Sequence, residues 1–448
     1  MSGIASTPEQ PHPHDRAGGS PRRAAVIGAG VSGLTAAYLL HRSYAVTLYE
    51  AQPRLGGHAH THDITDSAGT LHHVDTGFIV HNDRTYPHLL RLFNELDIAT
   101  RPTEMSMSIA CGGCGLEYAG GRGAGGILAR PTTLVRDRRF MRMLTQVLRF
   151  HRAAQAELAA GRAEGAGQGV RVAVGEPFGV WLERHRFTRY FVHHYAIPLV
   201  ACVWSTGHAL ALDYPARYLF TFLEHHGMLS VGGSPQWRTV VGGSRTYVDA
   251  IAARLPAARL SEPVRGVRQG DDGVHVRTAN GITTYDVAVI ATHADEALAL
   301  LEHPTDVQND VLGAFSYSLN DTVLHTDDTW LPRAPRAQAS WNYRMRSCTD
   351  LDEAPVVTYW MNRLMGHRSA EPHLVTLNGG VALDERRVLA RMAYTHPVYT
   401  PVSVAAQARL GEVGNERLVF AGAYHGWGFH EDGAASGVAA AARLGVSW

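Results

Sequence analysis

At 448 residues and 45% hydrophobic content, the chain can bury large cores and divide into two domains. Its 41 arginines and lysines balance 41 aspartates and glutamates, so no global field favours nucleic acid as a partner. Every one of those bases is arginine, which excludes a Schiff-base lysine and a lysine-held water from the chemistry.

Residues 1–21, rich in Pro, Gly, Ser and His, read as a disordered tail. Arg22-Arg23 suggests a twin-arginine export signal, but the apolar run behind it carries the next motif, and cleavage there would destroy it. Ala24-Ala25-Val26-Ile27 predicts a short buried strand, and Leu34 to Leu40 predicts the opening of a helix. Between them stands Gly28-Ala29-Gly30-Val31-Ser32-Gly33, and a second strand, Ala45 to Tyr49, ends at Glu50. In that context the glycine spacing predicts a dinucleotide site. Gly28 makes the tight turn, Gly30 lets the backbone approach a pyrophosphate, Gly33 permits close helix packing, and Glu50 accepts from ribose hydroxyls. The helix N-terminus supplies N–H groups and a positive dipole end to the phosphates.

Gly121-Arg122-Gly123-Ala124-Gly125-Gly126 repeats the spacing, but no convincing strand precedes it and Pro131 comes soon after, so a flexible loop is expected. Cys111 and Cys114 form a lone Cys-x-x-Cys, with Cys202 and Cys348 distant in sequence; zinc needs more ligands, so no metal is expected. Arg130 to Arg152 has helical apolar spacing through Leu134, Met141, Leu144 and Leu148, accompanied by six arginines from Arg136 to Arg152. The first reading is a core-packing helix with a solvated arginine face; the alternative is peripheral docking on an anionic membrane. Ala159 to Gly169 reads as a low-complexity linker. Asp321 to Thr326 and Pro355 to Trp360 read as strands of a sheet beneath the substrate. No apolar run has the length to span a bilayer, and a cytoplasmic enzyme is expected, with a peripheral hold on the inner membrane face as the added possibility.

Two histidine clusters stand out by position. His58-Ala59-His60-Thr61-His62 alternates like a strand that would set three imidazoles on one face. Tyr424 to Asp432 joins a strand, Arg417 to Gly422, to a small-residue helix expected to begin at Gly433-Ala434. Its glycines allow close approach to a ring, and Trp427 and its neighbours can wall a substrate slot. His430 has two readings, proton transfer and shaping of the cofactor pocket.

The segment after Glu50, Ala51-Gln52-Pro53-Arg54-Leu55-Gly56-Gly57-His58, resembles the arginine and paired-glycine extension of the flavin-containing amine oxidoreductases. That superfamily includes amine oxidases, carotenoid desaturases and protoporphyrinogen oxidases. The resemblance implies FAD, with Arg54, Gly56 and Gly57 at the pyrophosphate and flavin edge; many members carry an arginine where this chain has His58. It also implies that the backbone of Val264, within Ser261-Glu262-Pro263-Val264, meets the adenine. Ala291-Thr292 closes the strand Asp286 to Thr292, where relatives often have glycine. Gly422, Asp432, Gly433 and Ala434 belong to the segment whose helix N-terminus faces the flavin pyrimidine. The implied fold is α/β: a Rossmann-like FAD-binding domain of the glutathione-reductase/monoamine-oxidase type (22–76, 236–300 and 408–448) with a discontinuous α+β substrate domain (77–235 and 301–407).

Three further stretches, Val74 to Pro87, Ser234 to Tyr247 and Phe420 to Gly433, resemble a bacterial group of FAD-dependent oxidoreductases associated with cyclopropane, methylated and furan-type fatty acids. In the strand that turns toward the flavin, Asp75 and Gly77 match the superfamily. That resemblance implies desaturation of a lipid acyl chain: a base removes an activated C–H proton while hydride passes to flavin N5, with reoxidation by oxygen, a quinone or a carrier protein. His430, Trp427 and His58 are the candidate catalytic residues. The alternatives are an amine oxidase with Tyr424, Trp427 and Phe429 as an aromatic cage, and a redox-neutral flavin isomerase or mutase.

Overall fold

The computed structural model describes residues 21–130, 137–165, 175–229, 234–349, 354–379 and 383–448. Residues 1–20 of the expected tail, and Leu134 and Arg136, lie outside them.

The first strand, Arg23–Ile27, runs at the centre of a parallel five-stranded sheet. In spatial order the strands are Ala258–Arg259, Ala45–Tyr49, Arg23–Ile27, Val287–Ile290 and Leu418–Phe420. Ala24 to Ile27 are buried on both faces, which is why this stretch is a continuous apolar run rather than an alternating one. The helix Val31–Leu40 comes directly after the central strand and is buried along its whole length. Against it lies the C-terminal helix His430–Arg443. A Cβ at Gly433 would meet Val31 Cγ1 at 2.5 Å, and one at Gly437 would collide with the Ser32 carbonyl oxygen. The small-residue face therefore lets two helix backbones touch. Ser436 Oγ ties the C-terminal helix to the end of the strand Leu418–Phe420, accepting from Gly422 N at 2.9 Å. The helix begins three residues before the expected start, so His430, Glu431 and Asp432 form its first turn rather than a loop.

A second, mixed sheet has seven strands: Val388–Val398, Ser316–His325, Leu374–Leu377, Val356–Trp360, Trp341–Met345, Met107–Cys111 and Glu117–Gly120, in that spatial order. The two stretches read as strands from the sequence fall in Ser316–His325 and Val356–Trp360. A helical layer made of Arg138–Gly165, Phe178–Arg184, Ile197–Trp204 and Ala216–His225 shares a core with this sheet. Phe150 stands at its centre, with the Trp181, Phe220 and Phe178 rings 5.8, 5.8 and 6.1 Å away.

Three local expectations are corrected. The helix Arg138–Gly165 runs through the first seven residues of the expected linker, because good helix formers around Gly161 outweigh its single penalty. Residues 166–169 lie outside the described residues. The same helix buries Phe140, Met143, Phe150, Ala154 and Leu158, whereas Met141 and Leu148 are exposed beside Arg138, Arg142, Arg149 and Arg152. Finally, a strand, Glu117–Gly120, does precede the second glycine-rich turn, and a short helix, Gly123–Ile127, begins inside it.

Candidate functional site

Gly28 adopts φ +95°, and a Cβ there would stand 2.8 Å from the Ala291 carbonyl oxygen. A Cβ at Gly33 would collide with the Gly28 carbonyl oxygen, so this glycine packs the helix onto its own turn. Above Gly30 the space is open. Gly30 is also the helix N-cap and has no side chain to cap the first turn, which leaves N–H groups free for an anion. Those features fit a pyrophosphate.

Glu50 braces the turn from the next strand. Its Oε2 accepts from Ala29 N at 2.8 Å and its Oε1 from Gln52 N at 2.8 Å, which leaves further lone pairs for hydroxyls. Ala51 beside it is exposed, and Arg54 is half-buried. Gly57 adopts φ +56° and packs on Gly30, so the paired-glycine extension closes over the turn. Glu262 N donates to the Glu50 carbonyl at 3.0 Å, which sets the segment leading to Val264 along the same sheet edge. On the opposite side Ala291 N donates to Ile27 O at 2.7 Å, and Thr292 Cγ2 packs on Gly28.

The three stretches of narrower resemblance meet beside this turn. Asp75, buried, accepts from Thr61 Oγ1 at 2.5 Å and from Ser244 N and Oγ at 2.9 and 2.7 Å. Burial pushes its carboxyl up to about 6, against the pull of those hydrogen bonds. The ring of Phe78 stacks on His430, centroids 3.7 Å apart and planes within 10°. His430 Nε2 shares a 3.0 Å hydrogen bond with Tyr247 Oη. Burial pushes this imidazole down to about 3, so it is a neutral, packed ring. Asp432, in the same helical turn, accepts from Phe429 N at 2.9 Å, and burial pushes it up to about 7.

His58, His60 and His62 do not share a face. The strand is Thr61–Thr65, and the positive-φ turn at Gly56-Gly57 swings His58 out of the alternation. His60 and His62 lie against each other at 4.1 Å, while His58 faces Tyr394 at 4.9 Å, His396 at 5.4 Å and His293 at 6.4 Å. Burial holds His58 well below its usual range and His396 down to about 4, and each imidazole would further repel charge on its neighbours. His58 Nε2 is buried without a protein partner. In a site built for a ligand, such an orphan marks where the ligand's polar atom belongs.

Trp427 and Phe429 stand in an aromatic wall with Trp204, Tyr218 and Phe222. The Phe222 and Phe429 rings stack at 5.1 Å, and Trp204 Nε1 donates to the Trp427 carbonyl at 2.9 Å. Trp427 Nε1 is buried without a partner. Tyr424 is not part of this wall. It packs on Phe315 at 5.2 Å in a different core, so the three-ring cage expected from the sequence does not form.

Sequence reasoning missed Tyr394, His396 and His293, because contacts between residues so far apart in the chain leave no local pattern. It also took Cys111 and Cys114 for an isolated pair. Cys348 and His194 lie beside them, and all four donor atoms fall within 4.8 Å of one another.

The family profile described as flavin containing amine oxidoreductase matches residues 31–378. Among solved structures, cyclohexylamine oxidase from Brevibacterium oxydans IH-35A is similar at 16% identity, over 94% of this chain and 98% of that one, with TM-score 0.68. A putrescine oxidase bound to putrescine is similar at 16% identity, with the same coverage and TM-score 0.64. A fatty acid isomerase from P. acnes that produces CLA is similar at 13% identity, again over 94% and 98%, with TM-score 0.60. No curated protein sequence matches the chain significantly.

Proposed function

This chain belongs to the flavin containing amine oxidoreductase family, and from that premise we propose that the FAD-dependent enzyme desaturates a methylated or cyclopropane-bearing acyl chain. The observation that carries this reading is an aromatic wall, Trp204, Phe222, Trp427 and Phe429, in a protein without a single lysine. An apolar chain can lie along such a wall, whereas the lysine-held water of ordinary amine oxidases is impossible here. The displacement of Tyr424 from the wall weakens the amine-cage alternative further.

Bound FAD supplies a two-electron acceptor for the substrate's hydride. The turn Gly28 to Gly33, with Ala29, Val31 and Ser32, would hold its pyrophosphate; Glu50 and Ala51 would take the ribose and Val264 the adenine. Arg54, Gly56, Gly57 and His58 would line the inner edge, with Ala291, Thr292 and Gly422 behind the turn. Asp432, Gly433 and Ala434 would present the C-terminal helix to the ring. Of the three candidate catalytic residues, His58 has a neutral imidazole whose Nε2 is buried without a protein partner, and is the proton acceptor in this reading. His430 positions the pocket through Phe78 and Tyr247, and Trp427 orients the chain. The division into a cofactor half (22–76, 236–300, 408–448) and a substrate half (77–235, 301–407) belongs to the same proposal.

Reoxidation then falls to oxygen, a quinone or a carrier protein. Among the described residues no helix is long and apolar enough to cross a membrane. Met141 and Leu148, exposed among arginines, support peripheral docking on anionic lipid.

The test is anaerobic mixing of the purified flavoprotein with methylated phospholipid. The expected outcome is bleaching of the oxidised flavin and an acyl product lighter by two hydrogens. Bleaching by an amine alone, with peroxide released in air, would reverse the assignment; a product of unchanged mass would indicate an isomerase.

A further inference from the structure

The hairpin at the end of the seven-stranded sheet is built as a ligand knuckle. Cys111 closes the strand Met107–Cys111, and Cys114 comes after two glycines. Gly115, at φ +72°, returns its N–H to the Cys111 carbonyl at 2.9 Å, while Cys111 N donates to Leu116 O at 2.9 Å.

Two distant segments complete the set. The strand Trp341–Met345 runs parallel to Met107–Cys111 and delivers Cys348 to the knuckle, where its sulfur lies 3.7 Å from that of Cys111. Gly113 makes room, since a Cβ there would stand 2.9 Å from Cys348 N. From the helical layer comes His194, within the π-helical turn Val192–Ala196. Such single turns of π-helix recur at functional sites because they re-aim side chains. His194 Nδ1 lies 3.0 Å from the Tyr190 carbonyl and can only donate to it, which leaves the Nε2 lone pair free; Nε2 sits 3.6 Å from the Cys114 sulfur. The imidazole is also clamped by the Tyr190 ring, stacked at 4.1 Å, and Tyr118 Oη holds its backbone carbonyl at 2.7 Å.

A tetrahedral zinc ion has Zn–S bonds of about 2.3 Å and Zn–N bonds of about 2.0–2.1 Å, which set ligand–ligand edges of roughly 3.6–3.8 Å. The Cys111–Cys348 and Cys114–His194 separations fall at those edges. We propose that Cys111, Cys114, His194 and Cys348 bind one zinc ion in a closed, structural Cys3His site. Three thiolates exclude magnesium and calcium, and four protein donors leave no coordination position for substrate or water. The ion cross-links the sheet hairpin, the segment after Met345 and the helical layer, three parts of the chain that no disulfide of one pair can join. It is separate from the FAD fingerprint, and its loss leaves Gly28 to Gly57 untouched.

The full-length flavoprotein, purified in reductant without chelator or a metal-affinity step, tests this by elemental analysis. The expected result is about one zinc per chain, and cobalt exchange should give thiolate charge-transfer bands typical of a tetrahedral site. Cys348→Ser should reduce zinc content at least tenfold while FAD absorbance is retained. His194→Cys should keep full zinc occupancy and shift the cobalt spectrum toward that of a four-thiolate site, so a folded variant is available even if Cys348→Ser is unstable. Metal-free wild-type protein that takes up no cobalt, an intact mass lowered by a disulfide, zinc content unchanged by Cys348→Ser, or a cobalt spectrum unchanged by His194→Cys would overturn the proposal.

Discussion

Two turns in this chain share the spacing Gly-x-Gly-x-x-Gly, and both are preceded by a strand and run into a helix. At Gly28–Gly33 the strand is central and parallel, and the helix is ten residues long and wholly buried. At Gly121–Gly126 the strand is an antiparallel edge and the helix has five residues. The third motif glycine is tight in both turns, Gly33 against the Gly28 carbonyl and Gly126 at 2.7 Å from the Ala119 carbonyl, whereas Gly125, between the motif glycines of the second turn, has open space around its missing Cβ. Glu50 braces the amides of the first turn from a neighbouring parallel strand, a position the second turn's edge strand does not provide. What separates the proposed phosphate cradle from the second turn is therefore neither the spacing nor the local strand–helix context. It is the sheet position, the length of the helix and the second strand that carries the acid.

Alanine at tightly packed Gly33 and at open Gly125 should give opposite signs. Gly33→Ala drives a methyl into the Gly28 carbonyl, an overpacking that exceeds the usual ~1–3 kcal/mol because backbone must move. The expected outcome is insoluble or colourless protein, read from the flavin-to-protein absorbance ratio.

Acidification separates the two regions next. Around the first turn burial holds His58, His396, His425 and His430 below their usual range. The unfolded chain takes up protons below about pH 6.5 that the folded chain refuses, so these groups lose stability as pH falls from about 6.5 toward 4. Asp75 and Asp432, pushed up to about 6 and 7, act oppositely: their contribution is lost as pH rises through those values. Four histidines outweigh two acids, so Tm and flavin retention should fall together between pH 6.5 and 5. The second turn is bordered instead by the Arg122–Glu104 and Arg130–Glu117 ion pairs.

Glu50→Ala leaves the Ala29 amide without its acceptor, at a cost of about 1–3 kcal/mol. Flavin affinity should fall by roughly tenfold to a hundredfold, with partial recovery in Glu50→Gln. Fluorescence titration of released FAD measures it. Gly125→Ala is the smallest effect and the opposite one: a helical glycine with space around it gains up to about 1 kcal/mol, and Tm should stay or rise slightly.

Much of the geometry of the candidate cofactor site was legible because its determinants are local. Strand, turn, helix and Glu50 all fall within 24–50, and periods of two and 3.6 residues report them directly. The substrate side was less legible because its contacts are not local. Nothing near His58 announces His396, and nothing near Cys111 announces Cys348 or His194, although Gly115 after a Cys-x-x-Cys is a hint of a knuckle. Tyr424 and Trp427 are three residues apart, yet lie in different cores because the chain turns between them at Gly426. The helix start at His430 was hidden by a histidine–acid first turn that reads as loop, and the extension to Gly165 by glycines that an alanine-rich helix absorbs.

The central claim is that the Gly28–Gly57 cradle holds FAD. The most direct measurement is the visible spectrum of the purified full-length protein, with FAD quantified after denaturation. The predicted result is a yellow protein releasing about one FAD per chain, and near-complete loss of that flavin in Gly33→Ala but not in Gly125→Ala. Folded wild-type protein that is colourless and takes up no added FAD would contradict it.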